Sequence, residues 1–114
     1  MQAETSAKIE IITGAIDLLR KHVGYAAAKA RLASLEGIIS AADFWNDQAN
    51  AQETMREKNR LDRQLVIIDK LQSEMDDAVE LIELGAAEND AEIVDDAEAA
   101  LSGLVVIAQK RQLE

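Results

Sequence analysis

The chain has 114 residues, with no Pro, no Cys and one each of Phe, Trp and Tyr, and its 22 acidic against 12 basic side chains leave a net charge of −10. This excludes disulfides and thiolate metal sites, leaves little material for β-strands, and argues against nucleic-acid binding by phosphate neutralisation, which needs Lys and Arg in excess. The length is that of one domain or a piece of one, and a composition rich in Ala, Leu, Ile and Glu favours helices packed on helices. The N-terminus lacks the basic flank and unbroken apolar run of a signal peptide, and nothing approaches a membrane span, so a cytoplasmic protein is expected.

Ile9, Ile12, Ile16, Leu19 and Val23 alternate steps of three and four, the apolar stripe of a first helix. Thr5 or Ser6 can cap its start. Gly24 is placed to end it at the C′ position, with Arg20, Lys21 and His22 on the favourable side of the dipole. His22, the only histidine, has no second ligand and reads as helix-end charge compensation. A second helix follows from about Ala26 to Ile39, with Ala28, Leu32, Leu35 and Ile39 on one face and Tyr25 at its entry, wedged against the first helix.

Asp43-Phe44-Trp45-Asn46-Asp47 then forms a corner. Asn46 or Asp47 can accept from the free N–H groups of the next helix, and two large rings before a cap are expected to plug the seam between helices. Phe44, Trp45, Asp47 and Tyr25 are therefore the expected structural anchors. The third helix is the long one, Gln48 to Leu84, about 55 Å at 1.5 Å per residue. Leu61, Leu65, Ile68, Met75, Val79 and Ile82 keep a seven-residue register in which Gln72 occupies one position; Gln72 either sets register or is tolerated at a bundle edge. Ile67, Leu71 and Leu81 widen the stripe, as packing against more than one neighbour requires.

Gly85 to Asp90 reads as a hairpin turn, and Asn89 with Glu92 three residues on as a capping box for a fourth helix. There Val94, Ala97, Leu101, Leu104 and Ala108 repeat by threes and fours. The run 104–108 is apolar all round and is expected to be covered from two sides. The expected fold is all-α, an antiparallel coiled-coil-like bundle of three to four helices with one long helix. A chain that stops with such a helix still running looks cut from something longer.

No basic residue stands between Lys70 and Lys110, whereas eleven acidic ones do. This is either a solvated hairpin kept soluble by repulsion or a docking surface for a basic protein. On the second reading the contact residues are Glu88, Asp90, Glu92, Asp95, Asp96 and Glu98. The acidic pairs lack the glycine and alternating oxygen ligands of an EF-hand loop, and one histidine cannot furnish the two Glu-x-x-His pairs of a di-iron bundle. There is no Gly-rich phosphate loop and no nucleophile beside a base. No catalytic residue, metal ligand or cofactor site is therefore assigned, and the residues alone lead to a soluble antiparallel helical bundle with an acidic tip. A stand-alone helical adaptor that binds a protein partner through a bundle groove is the alternative to the reading that follows.

Leu19-Arg20, Tyr25, Lys29, Arg31-Leu32, Leu35-Glu36, the corner Asp43 to Asp47, Ala51-Gln52, Met55-Arg56-Glu57-Lys58 with Leu61, Glu83-Leu84 and the closing Arg111-Gln112-Leu113-Glu114 resemble the N-terminal helical domain of the bacterial peptide chain release factor 2 family, which serves UAA and UGA stop codons. Trp45 with its acidic and amide neighbours is the most specific of these words. The resemblance departs where Ala42 and Gln48 stand in place of Pro, and at Gly24, where an Asp linked in many members to a programmed frameshift often precedes the Tyr. It implies that residues 1–114 are one non-catalytic domain, without the codon-reading and Gly-Gly-Gln segments that the family carries downstream. It further implies contact with the ribosome at the stalk base of the large subunit, with no direct nucleic-acid readout by this segment and no membrane.

Overall fold

The computed structural model describes residues 1–114 and contains helices and no strands. In chain order these are α1 (Ala3–Val23), α2 (Tyr25–Ile39), a 3₁₀ turn (Phe44–Asn46), α3 (Gln48–Ala87) and α4 (Ala91–Leu113). The chain divides into two compact units. One joins residues 1–20 to residues 68–114; the other comprises residues 21–67. The 40-residue α3 contributes to both.

In the first unit Ile12, Ala15 and Ile16 of α1 are buried with Leu71, Met75, Ala78 and Ile82 of α3 and with Ala97, Leu101, Leu104 and Ala108 of α4. The middle of each expected stripe is therefore in the core, with Ala15 and Ala78 added to it and Ile9, Leu19, Val79 and Val94 only half-buried. Each large aliphatic side chain removed from water contributes about 1.5–3 kcal/mol, and the alanines let helix axes approach closely. Polar side chains fix the pairing. The Thr13 hydroxyl lies 3.7 Å from Met75 Sδ, and Arg20 Nη2 donates to Gln72 Oε1 at 3.3 Å. Gln72 in turn donates to Asp76 at 2.9 Å, so its amide is held at both ends.

Two caps differ from expectation. Thr5 does not cap α1; it lies inside the helix, 2% exposed, and its hydroxyl donates to the Glu98 carboxylate of α4. At the α3–α4 hairpin, Asp90 caps α4 by accepting from the Ile93 N–H at 3.2 Å, while Asn89 adopts φ 56°. Asn89 is therefore the left-handed residue that closes α3. Its N–H donates to the Ala86 carbonyl at 3.3 Å and the Asp90 N–H to the Gly85 carbonyl at 2.8 Å, the paired bonds of a Schellman motif. Asn is among the few non-Gly residues that enter this region readily. Consequently α3 runs three residues beyond Leu84, and Gly85 is helical. A Cβ there would lie 2.8 Å from Val94 Cγ2 and 3.2 Å from the Asp90 carbonyl oxygen. The hairpin folds back onto the bare face of this glycine.

In the second unit Gly24, with φ 68°, turns α1 into α2 as the single residue between them. Ala28 and Leu35 of α2 form a core with Leu61 and Leu65 of α3, against which Val23, Tyr25 and Leu32 pack. Outside this core, Arg31 makes a two-pronged ion pair with Glu57, Nε to Oε2 at 2.7 Å and Nη2 to Oε1 at 2.9 Å. These hydrogen bonds hold the Glu57 carboxyl below its ordinary range. The corner buries one ring only. Phe44 is 6% exposed, whereas Trp45 is 59% exposed, edge-on to Phe44 with centroids 4.8 Å apart. The expectation of a buried indole plugging the seam is thus corrected: successive residues of a 3₁₀ turn point about 120° apart, so adjacent rings cannot share one seam.

Three outcomes follow for melting experiments. Gly85→Ala should lower Tm although Ala is the better helix former by about 1 kcal/mol, while Gly14→Ala and Gly37→Ala, whose new Cβ atoms meet nothing within 4 Å, should raise it. Equal shifts at all three sites would show that the hairpin tolerates a side chain. Phe44→Ala should destabilise by about 3–5 kcal/mol, and Trp45→Ala by much less. The Arg31–Glu57 pair should support stability fully above the ordinary carboxylate range and lose its effect as pH falls through the depressed Glu57 value. Glu57→Gln should therefore flatten Tm against pH in that acidic window, and an unchanged slope would show that the pair has no thermodynamic weight.

Candidate partner-contact surface

The acidic charge is localised more sharply than the net value shows. The unit of residues 21–67 carries seven basic and six acidic side chains, the other unit five and sixteen. The whole excess sits on the unit that contains the hairpin.

The structure sorts the six expected contact residues into two groups. Glu88, just past α3, and Glu92, Asp95 and Asp96 in the first turns of α4 are exposed. The other two are engaged within the fold. Asp90 is half-buried and its carboxylate caps α4. Glu98 accepts from the buried Thr5 hydroxyl and lies 3.5 Å from the Lys8 ammonium, so it ties α4 to α1. The surface open to a partner is thus Glu88, Glu92, Asp95 and Asp96. Glu92 also sits where the helix dipole favours negative charge, by about 0.3–1 kcal/mol at an exposed site.

Among the expected anchors, Phe44 is buried and Asp47 caps α3 by accepting from the Asn50 N–H at 3.1 Å. Tyr25 is half-buried, with the Lys29 ammonium 5.2 Å from its ring centroid. Trp45 is the outlier, a large ring that the fold leaves in solvent.

A further surface escaped the sequence reading. A groove of about 560 Å³ runs between α3 and α4. Its sides include Leu81 and Ile107, 45% and 46% exposed, and Glu74, Asp77 and Asp96 stand around it. The apolar run 104–108 is therefore not covered from two sides as expected: Leu104 and Ala108 face the core, while Val106 and Ile107 remain exposed. α1 and α3 pack against α4 on its inner side, where Ala97, Leu101, Leu104 and Ala108 are buried, and neither covers the outer face. The signal lies in that all-round apolar run, whose outer residues Val106 and Ile107 form the open side.

The PCRF domain model matches residues 28–114, which include most of α2, the corner, α3 and α4. Peptide chain release factor 2 of Rickettsia bellii is 43% identical over 90 residues, covering 79% of this chain and 24% of that protein. Those of Paramagnetospirillum magneticum and Roseobacter denitrificans are 39% and 38% identical over the whole chain, covering 31% and 30% of their lengths. The chain thus spans about a quarter to a third of the curated relatives it matches. No solved structure matches it significantly. On the match through α2, α3 and α4, the chain belongs to the PCRF-domain family, as the counterpart of the N-terminal helical domain of peptide chain release factor 2.

Proposed function

We propose that this domain is a non-catalytic, ribosome-contacting part of a cytoplasmic peptide chain release factor that acts in translation termination at UAA and UGA codons. The relatives' shared name supports the release-factor role. The observation that carries the contact role is the exposed acidic surface of Glu88, Glu92, Asp95 and Asp96, in a unit where acidic side chains outnumber basic ones by sixteen to five. Such a surface repels ribosomal RNA and suits a basic ribosomal protein, and the stalk base of the large subunit is the location that family membership favours. Opposite charge at a rim acts mainly on the rate of encounter.

No side chain of the domain is assigned to peptidyl-tRNA hydrolysis. On this reading the domain positions the factor, and chemistry belongs to segments outside these residues.

Reversal of Glu88, Glu92 and Asp95 to Lys tests the contact, leaving the Asp90 cap and the Glu98–Thr5 tie untouched. The melting temperature should change little, because the three side chains are exposed and reversal relieves repulsion while losing a small dipole interaction. In a full-length factor carrying the domain, association with termination complexes should slow, and the deficit should shrink as salt is raised. Stop-codon choice and the hydrolysis rate of bound factor should not change. Equal association rates at low salt, with both proteins folded, would reduce the surface to a solvated face.

A further inference from the structure

The groove between α3 and α4 has a floor of small residues, Ala78, Ala100 and Gly103, and a Cβ added at Gly103 would meet nothing within 4 Å. Leu104 lies beneath and Leu81 and Ile107 form the sides, both close to half-exposed. Acidic groups stand on both flanking helices, Glu74 and Asp77 on α3 and Asp96 on α4. Glu74 lies 3.8 Å from the Lys70 ammonium in a loose, exposed i,i+4 pair that competes weakly. No other basic residue stands between Lys70 and Lys110 to neutralise this rim from within the hairpin.

We propose that this groove is a docking site for an amphipathic α-helix of a partner protein that carries Lys or Arg on both edges of its apolar stripe. An apolar trough rimmed by polar groups is the usual form of an interaction site, and side chains at helical spacing fill such a trough from a single helix. The charge selects the occupant. An acidic rim on both sides attracts a basic-edged helix and opposes an acidic one. It also opposes a second copy of this chain, which would bring the same carboxylates against themselves, and an anionic lipid surface. The inference stands apart from the termination reading, since the groove shares only Asp96 with the exposed acidic surface.

The probe is a synthetic peptide with Leu at helical i, i+4 and i+7 spacing and Lys flanking that stripe, compared with a scrambled peptide of equal composition and with a peptide carrying Glu for Lys. Binding is followed by anisotropy of a label on the peptide and by backbone amide shifts of the protein. The ordered Lys peptide should bind, shifting the amides of Leu81, Ala100, Gly103 and Ile107, and the other two should bind far more weakly. Gly103→Leu, which fills the floor, and Asp77→Lys, an exposed rim change, should each weaken binding by about tenfold or more. Reversal of Glu88, Glu92 and Asp95 should leave most of the binding intact. Melting curves confirm that each variant is folded, and Asp77→Lys serves as the test if Gly103→Leu is not. Equal binding of the ordered and scrambled peptides would overturn the proposal, as would wild-type affinity in the folded variants. So would a dimer of the wild-type chain that Gly103→Leu dissociates.

Discussion

A helix of forty residues has to be covered along its length, and the fold answers that requirement of α3. Isolated helices are marginal in water, and most of their stability in proteins comes from burying an apolar stripe. The stripe of α3 is long enough to serve two cores. Leu61 and Leu65 are buried in the unit that contains α2, whereas Leu71, Met75, Ala78 and Ile82 are buried in the unit formed with α1 and α4. The remaining elements are cut to fit these two tasks. The 15-residue α2 serves one core, and the 23-residue α4, entered through a tight turn, serves the other.

Much of this was legible because helical periodicity survives even where the core is small-residue and aliphatic. Spacing gives the centre of the α1 stripe, Ile12 and Ile16, and most of the α4 stripe, while Ile9, Leu19, Val23 and Val94 are half-buried and Ala15 is buried outside the expected series. Gly24 and Asp47 follow from the chemistry of helix ends. The errors concern residues with two possible uses. Gly85 has the identity of a helix stop, yet it is helical, because a glycine can also mark a place where another segment approaches closely. Asn89 has the identity of an N-cap, but its tolerance of positive φ placed it one residue earlier, closing α3, and left the cap to Asp90. Thr5 and Glu98 look like a cap and a surface charge, and only their separation of 93 residues conceals that they meet. Such a contact has no local signature.

The words that carry the family resemblance acquire a physical content. Arg31 and Glu57, 26 residues apart in the chain, are the two halves of one fork-shaped ion pair between α2 and α3. Asp47 is a cap and Phe44 a core residue. These positions are explained by folding. Trp45 is explained only in part: an indole left 59% exposed, edge-on to Phe44, contributes less to packing than the buried ring beside it.

Charge shows the same separation of structural from non-structural use. A unit with sixteen acidic and five basic side chains repels itself, which weakens the compact state. Some of those carboxylates contribute to structure: Asp90 as a cap, Glu98 on Thr5 and Lys8, Asp76 on Gln72. Of the exposed ones at the hairpin, Glu92 has only the small dipole contribution at the start of α4, and the side chains of Glu88, Asp95 and Asp96 make no hydrogen bond or ion pair. Solubility alone does not account for where they are, because it would be served equally by carboxylates on the other unit, which is close to neutral. Concentration of exposed negative charge beside an open apolar groove places an electrostatic selector next to a hydrophobic seat. On the two proposals above, these features would act on different steps of association, the charge on encounter and partner choice, the apolar floor and sides on how long the partner stays.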